Sequence, residues 1–545
     1  MSDVTLDHFK RATADIGANG DNDTLPFDID VRFINENQER LAELAYRYFE
    51  YLDGLPKKDT KPLNVRDTIN SLDVFSERLL VPTGAAGFRI TTKIHPLWNI
   101  YLNGLGVAIA EVHEPMRSDR VHSYRFLSQG NKLFDWTSSW RAFREASIAD
   151  CEAVGDRAVV VQTDISSFYE HVYHHRIENC IDDLFSEGSK VAIQVDRFLS
   201  KLASGRSFGL PVGGQCSRIL AELLLSSVDQ RLTEEGIRWR RYVDDFVLVT
   251  NNQADAYRAL AFLSHALADY GLSLNRTKTT VLTGKHFCDY VRTQLGGAGD
   301  DSSKLREIDL HFDPYSDSCL DDYEALRETV ESLEVRALLD LELNKGQPDT
   351  FLVAQIGRTL RYHSPGVALQ LCGTLLSPKN LHAFRASWTT IMRGISTVRK
   401  DDAFTDIFDG IDMLLDAIPE HSPHLLLAEA SCLHFLRAIR FRRTDTRGQY
   451  VSRLYSSTPS QSVKRACIDC WRQWKDRPSF IRIRNNWSSI NPEEQRMLWL
   501  AGKDFGDDGK NFRAQEKRST VNYWRLGIEQ DGFPTFADIY KKWCA

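Results

Sequence analysis

The chain reads as an α+β catalytic region followed by an all-α region, and three observations predict this. Between about residues 31 and 300, short β-branched runs alternate with amphipathic helical stretches. Beyond about 320, apolar residues recur at three- and four-residue spacings, as in Leu425-Leu-Leu-Ala-Glu-Ala-Ser-Cys-Leu-His-Phe-Leu436, with few strand-like runs. Between the two stands Gly296-Gly-Ala-Gly-Asp-Asp-Ser-Ser303, which reads as a flexible linker. At 545 residues the chain is too long for one ordinary core.

The elements follow in order. Residues 1–30 are rich in Asp, Asn, Gly and Thr and read as a loose arm with no visible chemistry. Residues 31–300 form the catalytic unit and residues 301–545 the helical one, with Pro, Gly or Asn-Pro breaks between helices. Stacked helical hairpins are expected there, without a repeat of fixed length. Cys467 and Cys470 lie one helical turn apart with no second ligand pair near them, so ordinary packing is favoured over a metal or redox site. The cysteine usage and the lack of a long apolar run predict a reduced, cytoplasmic protein without a membrane segment.

Charge argues against an obvious polyanion binder. Sixty-eight Lys and Arg stand against 75 Asp and Glu, giving a formal net charge of −7. Any attraction for nucleic acid must therefore be local.

Two segments carry the chemistry. In Arg241-Tyr-Val-Asp-Asp-Phe-Val-Leu-Val-Thr250, two β-prone runs flank adjacent carboxylates and place Asp244 and Asp245 at a hairpin bend. Taken alone this is equally a plain turn, where Asp is favoured. Eighty residues upstream of Asp244, Ala158-Val-Val-Val-Gln-Thr-Asp164 is an apolar strand ending on a third acid. Carboxylates at two adjacent strand ends suit hard divalent cations, which prefer oxygen ligands and retain substrate phosphates. Paired metals of this kind support nucleotidyl transfer.

In this order the segments resemble a reverse transcriptase. Tyr242-Val-Asp-Asp245 resembles the family's YxDD box, and Asp164-Ile-Ser-Ser-Phe-Tyr169 its other metal-bearing strand end. The resemblance spans about residues 80–290 and implies a right-hand polymerase palm and fingers. By the same resemblance, Asp164, Asp244 and Asp245 hold two Mg²⁺ ions, with Mn²⁺ as a substitute, the carbonyl of Ile165 is a further ligand, and dNTPs are the substrates. Tyr169 falls where the family places the aromatic gate against the ribose 2′ hydroxyl; the plainer reading is that Phe168 and Tyr169 alternate between core and surface. The run Gly209-Leu-Pro-Val-Gly-Gly-Gln215 resembles the loop beside the nascent base pair, with Gly213, Gly214 and Gln215 as nucleotide contacts. It departs from the commonest form at Val212 and Arg218. Lys278 matches the lysine near the triphosphate, as a proton donor or an attractor; a solvated surface lysine is the alternative. Arg117, Arg120 and Arg125 are candidates for phosphate contact, Arg125 foremost.

The long helical region makes the chain similar to the bacterial abortive-infection and unknown-group reverse transcriptases. This implies antiphage defence, synthesis with or without an RNA template, and a single-stranded DNA product that some members bond to the protein. A homo-oligomer is a further candidate assembly, which nothing in the sequence decides. Arg437, Arg440 and Arg443, with Arg442, Arg447 and the nearby Trp471, Trp474, Trp487 and Trp499, are candidate contacts to that product. The plainer reading makes the tryptophans core and the arginines a solvated face. Two other functions remain open at this level: a domesticated retroelement enzyme copying a linked RNA, and a nucleic-acid-binding scaffold on a polymerase fold.

Overall fold

A computed structural model describes residues 4–56, 64–84, 87–130, 132–135, 139–186, 189–295, 301–308, 319–345, 348–519, 524, 526–528 and 533–545. Its strands are β1 (Ser76–Thr83), β2 (Gly87–Ile94), β3 (Val159–Asp164), β4 (Arg238–Tyr242), β5 (Asp245–Thr250) and β6 (Thr280–Thr283). The first two form an antiparallel ribbon, and the others an antiparallel sheet in the order β4-β5-β3-β6.

Alternation of side chains explains how this sheet is covered. Along β3 and β5, Val160, Val247 and Val249 point to one face, where Phe143 and Cys151 of the helix Ser139–Val154 and Phe287 and Val291 of the helix Gly284–Leu295 close a small core. Val161, Phe246 and Leu248 point to the other face and join the main core with the helices Gln215–Glu234 and Gln253–Ala268. Both faces are therefore dry, and only the strand ends are left for chemistry.

The N-terminal segment departs from the loose arm expected. Residues Leu6–Asn19 are a helix, capped by a Thr5 and His8 box, whose Phe9, Ala12 and Ile16 are buried. It packs on the apolar helix Pro96–His113, where Gly104 leaves the space that the Phe9 ring fills. The polar composition of residues 20–24 masks the i, i+3, i+7 apolar stripe of Phe9, Ala12 and Ile16 in the sequence.

The described residues from 301 onward contain helices and no strand. The helices Thr350–Thr359, Trp388–Val398, Glu429–Ile439, Gln461–Gln473 and Pro492–Ala501 pack each against the next, the stacking expected of helical hairpins without a fixed repeat. The first crossing depends on glycine: a Cβ at Gly394 would stand 2.0 Å from the Gly357 carbonyl oxygen. Of the expected linker, residues 296–300 lie outside the described residues, while Asp301–Glu307 is helical. Trp471, Trp487 and Trp499 are 5% exposed or less, so they serve the core as the plainer reading held and offer no stacking platform. Cys467 and Cys470 are likewise buried, and burial pushes both thiols well above their ordinary range. No helix among the described residues is long and apolar enough to cross a membrane.

Candidate active site

Register brings the acids together. Asp164, the last residue of β3, pairs directly with Asp245, the first of β5, and Asp244 precedes it in the two-residue turn between β4 and β5. The backbone knits the same point: the Ile165 amide donates to the Asp244 carbonyl at 3.2 Å, and the Asn275 amide to the Asp164 carbonyl at 2.8 Å. Like charges opposite one another in a sheet repel, and this arrangement stacks three.

The electrostatics follow from that crowding. Burial, then Asp245 and Asp164, push Asp244 up to about 6. Burial and then Asp164 raise Asp245 as well. Lys278, largely exposed, pairs with Asp164 Oδ2 at 2.5 Å, and that hydrogen bond raises the ammonium above its ordinary value. Asp164 Oδ1 is buried and has no hydrogen-bond partner. Among the described residues no three Asp, Glu, His or Cys side chains are gathered closely enough to enclose a metal ion by themselves. The site still fits a hard cation, because its donors are oxygens, one buried oxygen lacks a partner, and two carboxylates are starved of positive charge. Mg²⁺ ordinarily completes its shell with water and substrate phosphate.

What holds the turn was not legible as a motif. Val243 has φ +56°, a left-handed conformation that a two-residue hairpin needs and a β-branched side chain resists. Both of its peptide groups are clamped. Ser123 Oγ accepts from the Val243 amide at 2.8 Å, and Arg241 Nη1 donates to the Val243 carbonyl at 2.8 Å. Arg241 is fully buried, pairs with Asp229 at 2.5 Å and with Glu222 at 3.0 Å, and Glu222 also takes Arg117 at 2.8 Å and the Ser123 hydroxyl. A basic residue just before an acidic pair is the available signal, yet Arg241 stands on β4 and its partners lie on the helix Gln215–Glu234.

The remaining candidates divide. Tyr169 is half-buried with its ring edge-on to Phe168, and its carbonyl accepts from Leu210 at 2.8 Å, which joins it to the glycine loop. Burial and then Tyr124 push its hydroxyl well above the ordinary tyrosine range, with Asp244 among the smaller influences. Arg125 is not available to phosphate as expected: it pairs with Glu114 at 2.6 Å and donates to the Ser118 carbonyl at 2.9 Å. Arg117 serves the buried network, and Arg120 donates to the Ile237 carbonyl. The loop is also committed elsewhere. Gly213 (φ +117°) lies under Asn22, Gly214 caps the helix Gln215–Glu234, and Gln215 contacts Asp15 and Arg218 instead of an open cleft. Since a Cβ on Gly213 would stand 2.2 Å from Asn22, Gly213→Ala is expected to cost roughly 2–3 kcal/mol, read as a lowered unfolding midpoint in urea. Of the C-terminal arginines, Arg440 pairs with Asp469 (2.9 Å) and Arg443 with Asp445 (3.2 Å), while Arg442 and Arg447 serve Asp409, Asp412 and Asp416. Arg437 alone of the five has no carboxylate within ion-pair distance among the described residues; it donates to the Phe27 carbonyl.

A 77-residue stretch, 13% of this chain and 7% of the relative, is 35% identical to telomerase reverse transcriptase of Rattus norvegicus, so the chain spans a small part of that relative's length. Solved structures of telomerase also align. That from Candida albicans with a TWJ fragment of telomeric RNA gives TM-score 0.33 at 13% identity over 71% of this chain and 66% of the other. The apo form from Candida tropicalis gives 0.34 at 11% identity over 72% and 73%. Residues 113–302, which include every strand of the four-stranded sheet and all three aspartates, match the family model described as reverse transcriptase (RNA-dependent DNA polymerase), and this part of the chain is a reverse transcriptase domain, a nucleotidyltransferase fold.

Proposed function

We propose that the chain is an RNA-directed DNA polymerase that adds deoxynucleotides with two Mg²⁺ ions, Mn²⁺ being the substitute, held by Asp164, Asp244, Asp245 and the Ile165 carbonyl. The observation that carries this reading is the direct pairing of Asp164 with Asp245 beside Asp244, a cluster of negative charge with one unpartnered buried oxygen. When bound, the ions supply Lewis-acid stabilisation of charge on the attacking and leaving oxygens. Asp164 and the β4–β5 turn fix the donors on rigid strand ends. Lys278 is paired to Asp164, one of the residues that would hold the ions, and its raised proton affinity keeps it cationic, so it would attract an anionic substrate brought to that site.

Tyr169 is the proposed gate against ribose. Tyr169→Val is expected to raise ribonucleotide incorporation on the order of 10²-fold relative to deoxynucleotide, because a steric wall is removed and no hydrogen bond is lost. Competing dCTP against CTP on one primer-template measures the ratio; an unchanged ratio returns Tyr169 to a packing role.

The helical region after the palm favours the defence-associated class, with a single-stranded DNA product. The deciding experiment supplies purified chain, Mg²⁺ and dNTPs with and without an RNA template and sequences the DNA formed, after testing whether it remains bonded to protein. DNA complementary to the template supports the reading. DNA of unrelated sequence in both arms supports untemplated synthesis, and absence of any DNA overturns both.

A further inference from the structure

We propose that Tyr124 is a positioning residue for the sugar gate: its ring stands behind Tyr169 and stops that side chain from yielding to a ribose 2′ hydroxyl, so selection of deoxynucleotides needs both tyrosines. This deepens the polymerase reading above and rests on it for the role of Tyr169.

The path of the chain carries Tyr124 to the catalytic turn. The segment before it runs beside β4: the Arg241 amide donates to the Arg120 carbonyl at 3.1 Å, the His122 amide donates to the Arg241 carbonyl at 2.9 Å, and Val121 bridges Arg241 in parallel. Ser123 Oγ then accepts from the Val243 amide, so Tyr124 directly follows a residue bonded to the turn that bears Asp244. The backbone bends sharply here. Tyr124 has φ +45°, which a bulky side chain resists. Arg117 holds it there by donating to the Ser123 carbonyl at 2.7 Å and to the Tyr124 carbonyl at 2.8 Å. Arg117 is anchored on Glu222, the acid that also holds Arg241 and the Ser123 hydroxyl. Among the described non-glycine residues with left-handed backbone, Val243 lies in the catalytic turn and Ser167 (φ +46°) between Asp164 and Tyr169. Backbone strain kept by several anchors at such a place marks a side chain whose direction matters.

That direction is toward the gate. The Tyr124 ring packs on Phe134, with centroids 5.6 Å apart, and under the Arg218 guanidinium, 5.1 Å from its centroid. Arg218 stands in the first turn of the helix Gln215–Glu234 and is fixed by Asp23 and by Gln215 Oε1 at 2.7 Å. The loop that enters this helix holds Tyr169, whose carbonyl accepts from the Leu210 amide. The two tyrosines are therefore tied to the two ends of residues 210–218, Tyr169 through its backbone and Tyr124 through its ring. The electrostatics agree: after burial, Tyr124 is the largest influence on the Tyr169 hydroxyl and Arg218 the next, with Asp244 acting more weakly. A steric gate discriminates by refusing to move. Tyr169 has Phe168 edge-on beside it, and Tyr124, fixed at its backbone by Arg117 and at its ring by Arg218, supplies the wall behind.

The test is competition of dCTP against CTP with the full chain on one primer-template. Tyr124→Gly removes the ring where glycine carries no left-handed penalty, Tyr124→Asn removes it with a second residue that tolerates this backbone, and Tyr124→Phe keeps it. We expect the two variants without a ring to lower the preference for dCTP on the order of 10-fold, and Tyr124→Phe to keep the parental ratio. In a Tyr169→Val background, Tyr124→Gly should change the ratio by less than about 2-fold, because a brace has no effect without the gate it braces. A parental ratio in both ring-less variants overturns the brace, even where their rate falls, since Tyr124 is then structural. Equal further relaxation in the Tyr169→Val background also overturns it, since the ring then meets the nucleotide itself. Equilibrium dialysis of dCTP against CTP with Mg²⁺ reads the same preference without turnover. Tyr124-dependent preference in a chain that makes no DNA sinks the polymerase reading alone, and a polymerase whose preference needs Tyr169 but ignores Tyr124 sinks the brace alone.

Discussion

Asp244→Asn is expected to abolish DNA synthesis while making the protein more stable. The loss in rate should reach at least about 10³-fold, the scale on which removing a preorganised charge at a reacting centre is felt. The gain in stability follows from linkage. Asp244 is held near 6 in the folded chain against an ordinary 3.8, because burial and the neighbouring Asp245 and Asp164 oppose its charge. Between these two values the folded state binds more protons than the unfolded one, so stability falls as pH rises through that window and the full penalty stands above it. Asparagine keeps the shape and never carries the charge. The shift converts to about 3 kcal/mol, and discounting for the solvent that reaches this half-buried side chain leaves about 1 kcal/mol. Calorimetry at pH 8 without divalent ions should therefore place the variant roughly 1–3 °C above the parent, with the gap closing near pH 4. Mg²⁺ should raise the melting temperature of the parent more than that of the variant. A variant that melts lower than the parent at pH 8 would contradict the crowded-carboxylate account, and one that still polymerises would contradict the catalytic account.

The acids were legible in the sequence because β-prone runs flank Asp244 and Asp245 and an apolar strand 80 residues upstream ends on Asp164, a combination that a plain turn does not explain. Their pairing was legible only as order along the chain; the register that sets Asp164 against Asp245 is a property of the folded sheet. The helical C-terminal region was equally readable from its period. What failed, failed for identifiable reasons. Gly213, Gly214 and Gln215 look like a ligand cradle when the partner is unknown, but the occupant is the protein's own Asn22 and Asp15, some 190 and 200 residues away in sequence. Arg125 looked free because Glu114, its partner, is one acid among many. The N-terminal segment reads as an arm because the polar composition of residues 20–24 outweighs the apolar spacing before it, yet that spacing forms the helix Leu6–Asn19. Arg241 stands directly before the motif, but nothing local in the sequence shows that an arginine so close to two aspartates is bonded to two other carboxylates.

That arginine carries the second large effect. Arg241→Met is expected to destabilise the chain by roughly 3–5 kcal/mol, the cost of stranding Asp229, only 4% exposed, without its cation and of leaving the buried Glu222 to Arg117 alone. It should also remove most DNA synthesis, because the guanidinium that fixes the Val243 carbonyl is what allows valine to remain at φ +56° and so aims Asp244 and Asp245. These two effects are separable. Adding Asp229→Leu and Glu222→Met to Arg241→Met replaces the buried ions with apolar volume, and buried ion clusters replaced in this way often lose no stability. Chemical denaturation should then recover most of the lost free energy, while primer extension should stay low, since no donor has been returned to the Val243 carbonyl and the Ser123 hydroxyl has lost its Glu222 partner. Arg241→Lys offers a single donor nitrogen where three nitrogens made four contacts, and should fall between parent and Met on both measures. If the stabilised triple variant polymerised at the parental rate, the buried network would be scaffolding for the sheet alone, and the turn would owe its conformation to the β4–β5 register without help from the side chains beneath it.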